Sequence, residues 1–564
     1  MSKYEKLKKS KSLSDLANLL GYSPKGFAYI LYKIPEEKKY TEFSIPKKMG
    51  GKRDIKAPTD KLKLLQKHLS DLLYECYYEI NKNNKPISHG FLKKQSIFEN
   101  AIKHKNKRYV FNVDLFNFFP SINFGRVYGF FIKNKHFALH HKVATVIAQI
   151  ACHNNELPQG SPCSPIISNL IGHLLDIRMV QLAKKAKCTY SRYADDLTFS
   201  TNKKDFPSQI ALNTENNHWT AGDTLKNEIE KVGFYININK TNMQYRTSRQ
   251  TTTGLVVNKF VNIKKEYYKK ARSMCHSLFQ SGEFYIEKMP SINESNESYE
   301  LETIKDNEIK GSLHQLEGIL SFIYQIKSKK NRKDATNKRR YNPNAITKLY
   351  REFLFYKHFF SLCMPLVIFE GGTDKTYIKC ALENLESQYN ELIEKKDNKF
   401  EYKISFLRMS KNLKDVFAIP EGTSALKVII EYYQQKYMKR FKGEGMNYPV
   451  ILLLDTDDGT DEIQKLLKKK DFNDPFCKVV DNLYVVYISD KKGLEIEQLF
   501  EDKVLKTKIN GKPFNPKKLH GDESEYGKKI FYEKVIKENM SNINFDNFKP
   551  IFDKFKLVIS DYRK

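Results

Sequence analysis

Thr189-Tyr-Ser-Arg-Tyr193-Ala194-Asp195-Asp196-Leu-Thr-Phe-Ser200 sets β-type residues on either side of two adjacent acids. The run reads as a hairpin with the acids at its tip. Asp is depleted in strands and neighbouring like charges repel, so strand propensity does not account for the pair. Alone it also fits a solvated turn. A divalent cation resolves the repulsion, and it needs carboxylates from a second strand. Val110-Phe-Asn-Val-Asp114-Leu-Phe-Asn-Phe-Phe119-Pro-Ser supplies one, with Asp114 leaving an apolar strand at the start of a turn. Asp114, Asp195 and Asp196 together suit two Mg2+ ions roughly 4 Å apart, one activating an attacking hydroxyl and the other neutralising a triphosphate and its leaving group.

The rest of the chain fits a polyanionic partner. Lys and Arg number 97 against 66 Asp and Glu, a formal charge of +31 spread along all 564 residues. Each phosphate neutralised by such a side chain releases counterions and adds affinity, although charge alone does not separate DNA from RNA. The length calls for two or three domains. The eight cysteines form no Cys-x-x-Cys pair, which argues against a zinc ribbon or disulfide framework. No run approaches the ~20 apolar residues that span a bilayer, so the expectation is a soluble, cytoplasmic protein with no membrane partner.

Periodicity divides the chain. Residues 1–45 carry Leu13, Leu16, Leu19 and Leu20, then Phe27, Ile30 and Leu31, broken at Gly21-Tyr-Ser-Pro24, and read as two short helices. Residues 46–258 mix helices with short apolar strands, an α+β domain. Residues 259–345 are mostly helical, with a polar acidic loop from Ser291 to Asp306 and a basic run from Lys327 to Arg340 as the candidate boundary. From 346 to 504, apolar strands separated by helices indicate a parallel sheet covered on both faces. Residues 505–564 form a Lys- and Phe-rich extension of unassigned role.

Asp114-Leu-x-x-Phe-Phe119, Leu157-Pro-Gln159-Gly160-Ser-Pro-x-Ser-Pro165, Tyr193-Ala-Asp-Asp196 and Gly233-Phe-x-Ile-Asn-x-x-Lys240-Thr241 resemble, in order and spacing, the motifs of reverse transcriptases. The resemblance implies a right-hand polymerase of fingers, palm and helical thumb that takes dNTPs. It makes Asp114, Asp195 and Asp196 the ligands of two Mg2+ ions, and Phe119 an aromatic gate against a ribose 2′-hydroxyl. Gln159, Gly160 and Tyr193 would lie against nucleotide and template. Lys240 stands either beside the pyrophosphate or as a solvated lysine. Arg53-x-Ile-x-x-Pro58 resembles the family's fingers motif, in which Arg53 would be a triphosphate contact by the bidentate fit of guanidinium to phosphate. After His89-Gly90-Phe91 the arginines common in the family are replaced by Leu92, Lys93, Lys94 and Gln95, which leaves open which cation meets the triphosphate.

Gln149-Ile-Ala-Cys-His153 and Thr252-Thr253-Gly254 resemble degenerate forms of two motifs of bacterial retron reverse transcriptases. That resemblance implies a structured non-coding RNA copied into a branched RNA–DNA molecule, msDNA. A group II intron-like reverse transcriptase is the nearest competitor.

Farther on, Leu366-Val-Ile-Phe-Glu370-Gly-Gly-Thr-Asp374-Lys375 and Val450-Ile-Leu-Leu-Leu-Asp455-Thr-Asp457-Asp458-Gly459 end apolar strands in acids, which in a parallel sheet converge on one crevice. They resemble the TOPRIM fold, a Rossmann-like α/β domain. Glu370 would then be general acid/base, and Asp455 and Asp457 ligands of Mg2+ or Mn2+. Glu497 is either a ligand for a second metal, as in nucleases of the overcoming-lysogenization-defect type, or an exposed helical glutamate. The whole chain resembles retron reverse transcriptases fused to TOPRIM domains. This implies a nuclease with its own nucleic-acid substrate, acting in anti-phage defence as a toxin restrained by the polymerase and its msDNA. The alternative is a nucleoprotein scaffold whose C-terminal module is catalytically silent; homo-oligomerisation stays open.

Overall fold

The computed structural model describes residues 1–47, 51–214, 218–287, 308–328, 340–419, 424–435, 437–457, 461–467, 474–518 and 522–564. The acidic segment expected as a loop lies outside them, as do most of the basic run and the residues Asp458 and Gly459. The described residues form two compact units, one of Met1–Lys265 and one of Glu266–Glu287 with everything from Glu308 onward.

In the first unit the N-terminal segment forms three short helices where two are expected, Lys3–Lys9, Leu13–Leu19 and Pro24–Ala28. Ser2 with Glu5 and Ser12 with Asp15 close capping boxes on the first two, satisfying main-chain donors a short helix leaves bare. Two strands follow, β1 (Tyr40–Pro46) and β2 (Lys52–Pro58), paired antiparallel. Helix α1 (Asp60–Ile80) buries Leu62, Leu65, Leu69, Leu72, Leu73 and Cys76 along one stripe.

The core of this unit is a four-stranded antiparallel sheet. Its strands are β3 (Tyr109–Leu115), β4 (Thr189–Tyr193), β5 (Asp196–Thr201) and β6 (Ile236–Tyr245), in the order β4-β5-β3-β6. Helix α2 (Ser164–Ala186) backs the sheet, burying Ile166, Ile167, Leu175 and Met179. It is the one described helix long and apolar enough to cross a membrane, a length the sequence reading missed; 67% of its most apolar stretch is buried inside the protein, as suits a core helix.

The second unit begins earlier than composition suggests. Helix α3 (Lys265–Ser281) sets Phe279 against Tyr356 and Phe441, and the Phe279 carbonyl accepts the Lys442 N–H at 2.7 Å. Helix α4 (Leu313–Ser328) packs the Tyr324 ring against Tyr350 of helix α5 (Ala345–Phe355), tilted at 55°. The apolar stripes of α3 and α4 are therefore spent on the C-terminal core, which draws the division to Lys265 rather than to the basic run.

That core is built on a five-stranded sheet: β7 (Leu366–Phe369), β8 (Ser405–Phe406), β9 (Val450–Leu454), β10 (Cys477–Val480) and β11 (Leu483–Tyr487), ordered β8-β7-β9-β11-β10. All neighbours run parallel except the edge strand β10. Every residue of β7, β9 and β11 is buried, so both faces are covered. Residues 505–564 are part of this domain and not an appendage. Tyr526, Phe531 and Val535 enter the same core as Val367, Ile451 and Val486. So do Ile551, Phe552, Phe555 and Val558 of the final helix α6 (Lys549–Arg563). All eight cysteines are free thiols.

Candidate active sites

The antiparallel register of β3 and β5 sets Asp114 opposite Asp196, and β4 and β5 pair Tyr193 with Asp196, leaving Ala194-Asp195 as a two-residue turn. The Asp195 carbonyl accepts the Leu115 N–H at 3.1 Å, which ties the turn to the end of β3. The three acids expected to act together are thus brought together. Ala194 sits at φ 57°, in the left-handed region, where a residue with a Cβ is strained by about 1–2 kcal/mol.

Neighbours over-determine that turn. Arg192, fully buried, gives two hydrogen bonds of 2.8 Å to the Asp176 carboxylate and one of 3.0 Å to the Ala194 carbonyl. A Cβ on Gly172 would stand 2.9 Å from the guanidinium carbon, so the glycine makes room for it. The Arg192 carbonyl accepts the His89 N–H at 2.8 Å, and a Cβ on Gly90 would come within 2.8 Å of the Ala194 nitrogen. Asn169 holds the approaching segment, donating to the Gly90 carbonyl and accepting from the Ser88 hydroxyl. Sequence reading passed over Arg192, Asp176 and Asn169, although an arginine in a β run and an aspartate in an apolar helix are the signals of a buried pair.

The electrostatics ask for a cation. Burial, then Asp195 and Asp114, push the Asp196 carboxyl up to about 7. Asp195 is raised by burial and by Asp114, with Lys240 and Arg53 opposing. The Lys240 ammonium lies 3.1 and 3.2 Å from the two Asp114 oxygens, and Asn237 donates to one of them at 3.2 Å. Lys240 is therefore part of the site and not a free surface lysine.

Arg53 is exposed on β2 opposite Ile45, close enough to act on Asp195. The Phe119 ring packs on Phe91 and Phe118 with centroids 6.2 and 5.4 Å away. Gln159 offers its carbonyl to the Lys56 N–H at 2.8 Å. Gly160, at φ 120°, passes so close to β2 that a Cβ would be 2.9 Å from the Lys56 carbonyl oxygen, and no other residue fits there. Among the described residues no group of three or more His, Cys, Asp or Glu side chains is placed to hold a metal ion by itself. Mg2+ keeps several waters and takes phosphate oxygens of its substrate, so an open set of carboxylates fits it.

Such a site on such a sheet defines a polymerase. A model of the reverse transcriptase family (RNA-dependent DNA polymerase) matches residues 45–272, and the chain has that activity's fold. The chain belongs to the retron reverse transcriptases. It is 30% identical over 348 residues to the retron Ec86 reverse transcriptase of Escherichia coli, covering 60% of this chain and 92% of that one. It is 30% identical to the retron Mx65 reverse transcriptase of Myxococcus xanthus over 47% of this chain and 63% of the relative. Among solved structures, apo telomerase from Candida tropicalis is 15% identical over 73% of this chain and 64% of its own, with a TM-score of 0.31, a likeness too low to carry weight.

The His153 and Gly254 segments are both tight hairpins. Asn154 and Asn155 at φ 48° and 58° turn between His153 and Glu156, and Thr253 and Gly254 at 46° and 81° turn between Thr252 and Leu255.

The second unit carries its own acidic site. In the order β8-β7-β9 the chain runs from β7 outward on one side and returns on the other, so a crevice opens beyond the ends of β7 and β9. Glu370 directly follows β7 and Asp455 directly follows β9. Asp374, buried at the start of the helix Asp374–Asn384, accepts the Gly371 N–H at 2.7 Å. Burial, then Asp374, Glu370 and Glu497, raise Asp455 to about 8, while Lys528 pulls the other way. Glu497 is not an exposed helical residue: it is 2% accessible and 3.0 Å from the Lys528 ammonium. Asp457, two residues past Asp455, acts on the Lys517 ammonium, which is held charged first by Glu495. From the sequence Asp374 carries no role of its own, being one more acid in a Gly-rich turn, and Lys528 lies in the region without motifs.

Proposed function

We propose that this retron reverse transcriptase copies a structured non-coding RNA of its own locus into branched msDNA. Its Asp114, Asp195 and Asp196 would hold two Mg2+ ions at the growing end. The observation that carries this is the register that sets Asp114 across from Asp196 beside the tied-down Asp195. Bound there, the metal ions supply charge neutralisation to the triphosphate and a more acidic attacking hydroxyl.

The chain's residues do the rest. Arg53 meets the triphosphate with a fork of donors. Phe119, wedged against Phe91, presents a rigid ring to C2′ of the sugar and favours dNTPs. Lys240, beside Asp114, is placed to give a proton to the departing pyrophosphate. Gln159 and Gly160 form a surface flat enough for nucleotide and template to lie against, while Tyr193 flanks the acids. Sequencing the nucleic acid that co-purifies with the chain tests the reading; a branched DNA joined to RNA is the expected product.

We further infer that the second unit is a TOPRIM-type nuclease using Mg2+ or Mn2+ and serves anti-phage defence, restrained by the polymerase and its msDNA in the cytoplasm. Support comes from Glu370 and Asp455 standing at the ends of adjacent parallel strands and from the raised affinity of Asp455 for a proton, a perturbation that clusters at functional sites.

A further inference from the structure

In the first unit, a cavity of about 430 Å³ lies between the N-terminal segment and the body of the polymerase domain, away from the three aspartates. Its walls include Tyr32, Tyr40 and Phe124, and its polar rim includes Glu36, Lys39 and Gln149. We propose that it receives one unpaired nucleobase of the RNA, guanine in preference to adenine. This rests on the reading of the chain as an RNA-copying enzyme and adds a site to it.

The walls are prepared for a flat ring. Tyr32 is 54% exposed, yet its hydroxyl donates to Gln149 Oε1 at 2.9 Å, which fixes the ring's direction. Tyr40 is backed by His153, with centroids 4.1 Å apart and an angle of 28°, and its hydroxyl accepts from Gln66. Unpaired bases of RNA are recognised by stacking on such rings and by hydrogen bonds to their edges.

The rim selects the edge. Glu36 Oε1 takes the Lys39 ammonium at 2.5 Å, while Oε2 is 3.7 Å from His153 Nδ1, beyond hydrogen-bond length. His153 Nδ1 is buried without a hydrogen-bond partner, between Cys152 and Asn155, both of which line the cavity. A carboxylate only accepts. Guanine is the base that presents two adjacent donors, N1–H and the 2-amino group, whereas adenine sets a lone pair beside its amino group. Lys39, also held by the Leu31 carbonyl at 2.8 Å, supplies a cation for the guanine oxygen.

The location is also right for RNA. Tyr40 opens β1, and β1's partner β2 carries the Lys56 N–H that bonds Gln159, so one strand pair links a wall of the cavity to the segment read as lying against the template.

The test uses the full-length chain, with saturation-transfer NMR against GMP and AMP, and the variants Tyr32→Ala and Glu36→Gln. Both side chains are exposed, so neither change opens the core. GMP is expected to bind, AMP not to displace it, and both variants to weaken GMP at least tenfold. Equal binding of GMP by the variants, equal binding of AMP, or no binding of GMP overturns the proposal. An RNA hairpin carrying 6-thioguanosine in its loop is expected to cross-link to peptides spanning residues 29–40 or 149–155. If it does not, while GMP binds, the cavity serves a free nucleotide and the RNA assignment falls. Extension of oligo(dT) on poly(rA), a template without guanine, reports the polymerase reading separately.

Discussion

The Asp176 carboxylate accepts two hydrogen bonds from the Arg192 guanidinium, each 2.8 Å long, in a place that solvent does not reach. The same guanidinium holds the Ala194 carbonyl, so this pair sets the strained turn that carries Asp195. Removing one partner leaves a buried charge unpaired, at a cost of about 3–5 kcal/mol. Asp176→Ala is expected to lower unfolding free energy by that amount in urea titrations. A change under about 1 kcal/mol would mean that the pair does not govern the hairpin.

Gly90→Ala tests the close approach directly. The added Cβ meets the Ala194 main-chain nitrogen at 2.8 Å, and main chain does not rotate out of the way. The hairpin tip is expected to shift and extension of a primed RNA to slow by about 10²-fold, because misplacement of about 1 Å is enough for that. Template affinity should hold; wild-type turnover in this variant would show that the fingers segment and the turn do not need each other.

Asp195→Asn removes a charge without changing shape. DNA synthesis is expected to fall by on the order of 10²–10³ or more, with RNA binding retained because the basic surface is untouched. Full-length product from this variant contradicts the assignment of the site.

The acidity of Asp196 yields a signed pH effect. An aspartate in an unfolded chain titrates near about 3.9, whereas burial with Asp195 and Asp114 holds this one at about 7. Between those values the folded metal-free protein keeps a proton that the unfolded chain has released, so its contribution makes stability fall as pH rises from about 4 to about 7 and then level off. Mg2+ must displace that proton, so its affinity should weaken by about tenfold per pH unit below 7. Calorimetric titration of Mg2+ at pH 6 and pH 8 checks it, with Asp196→Asn expected to flatten the profile. A wild-type profile already flat contradicts it.

What sequence revealed of this molecule follows a physical line. The acids of both sites were legible because carboxylates at strand ends have no structural excuse: Asp114, Glu370 and Asp455 each follow a mainly apolar strand, and Asp195 stands at the tip of a hairpin of β-type residues. The positions that hold them were not, because Arg192 and Asp176 come together only when β4 is laid on α2, and a long-range pair leaves no periodicity. The role of 505–564 was hidden by composition. Read as a Lys- and Phe-rich extension it has no assigned role, yet Ile551, Phe552, Phe555 and Val558 recur at helical spacing and go inside. Of the two readings of Glu497 only the exposed one falls, since the residue is buried and its carboxylate accepts from Lys528, thirty-one residues on.

That last region makes a prediction of its own. Deleting residues 505–564 uncovers the face of the sheet that bears Val367, Ile451 and Val486. The second unit is expected to lose its protection against limited proteolysis from residue 266 onward. A deleted chain as resistant as the intact one would show that the segment only decorates a domain complete without it.

The crevice beyond β7 and β9 supplies the remaining test. Glu370 and Asp455 directly follow strands that are hydrogen-bonded neighbours, and Asp374 and Glu497 add to the charge that Lys528 offsets. So much buried negative charge in a structural role would be better replaced by apolar groups; its concentration at the switch point of the sheet argues for chemistry there. Wild-type chain and Glu370→Ala are to be incubated with Mg2+ or Mn2+ and a panel of single- and double-stranded DNA and RNA. The expected result is cleavage of at least one substrate by the wild type alone, abolished by EDTA. If both chains degrade the panel equally, the cleavage comes from elsewhere, and the crevice is a binding site rather than a nuclease.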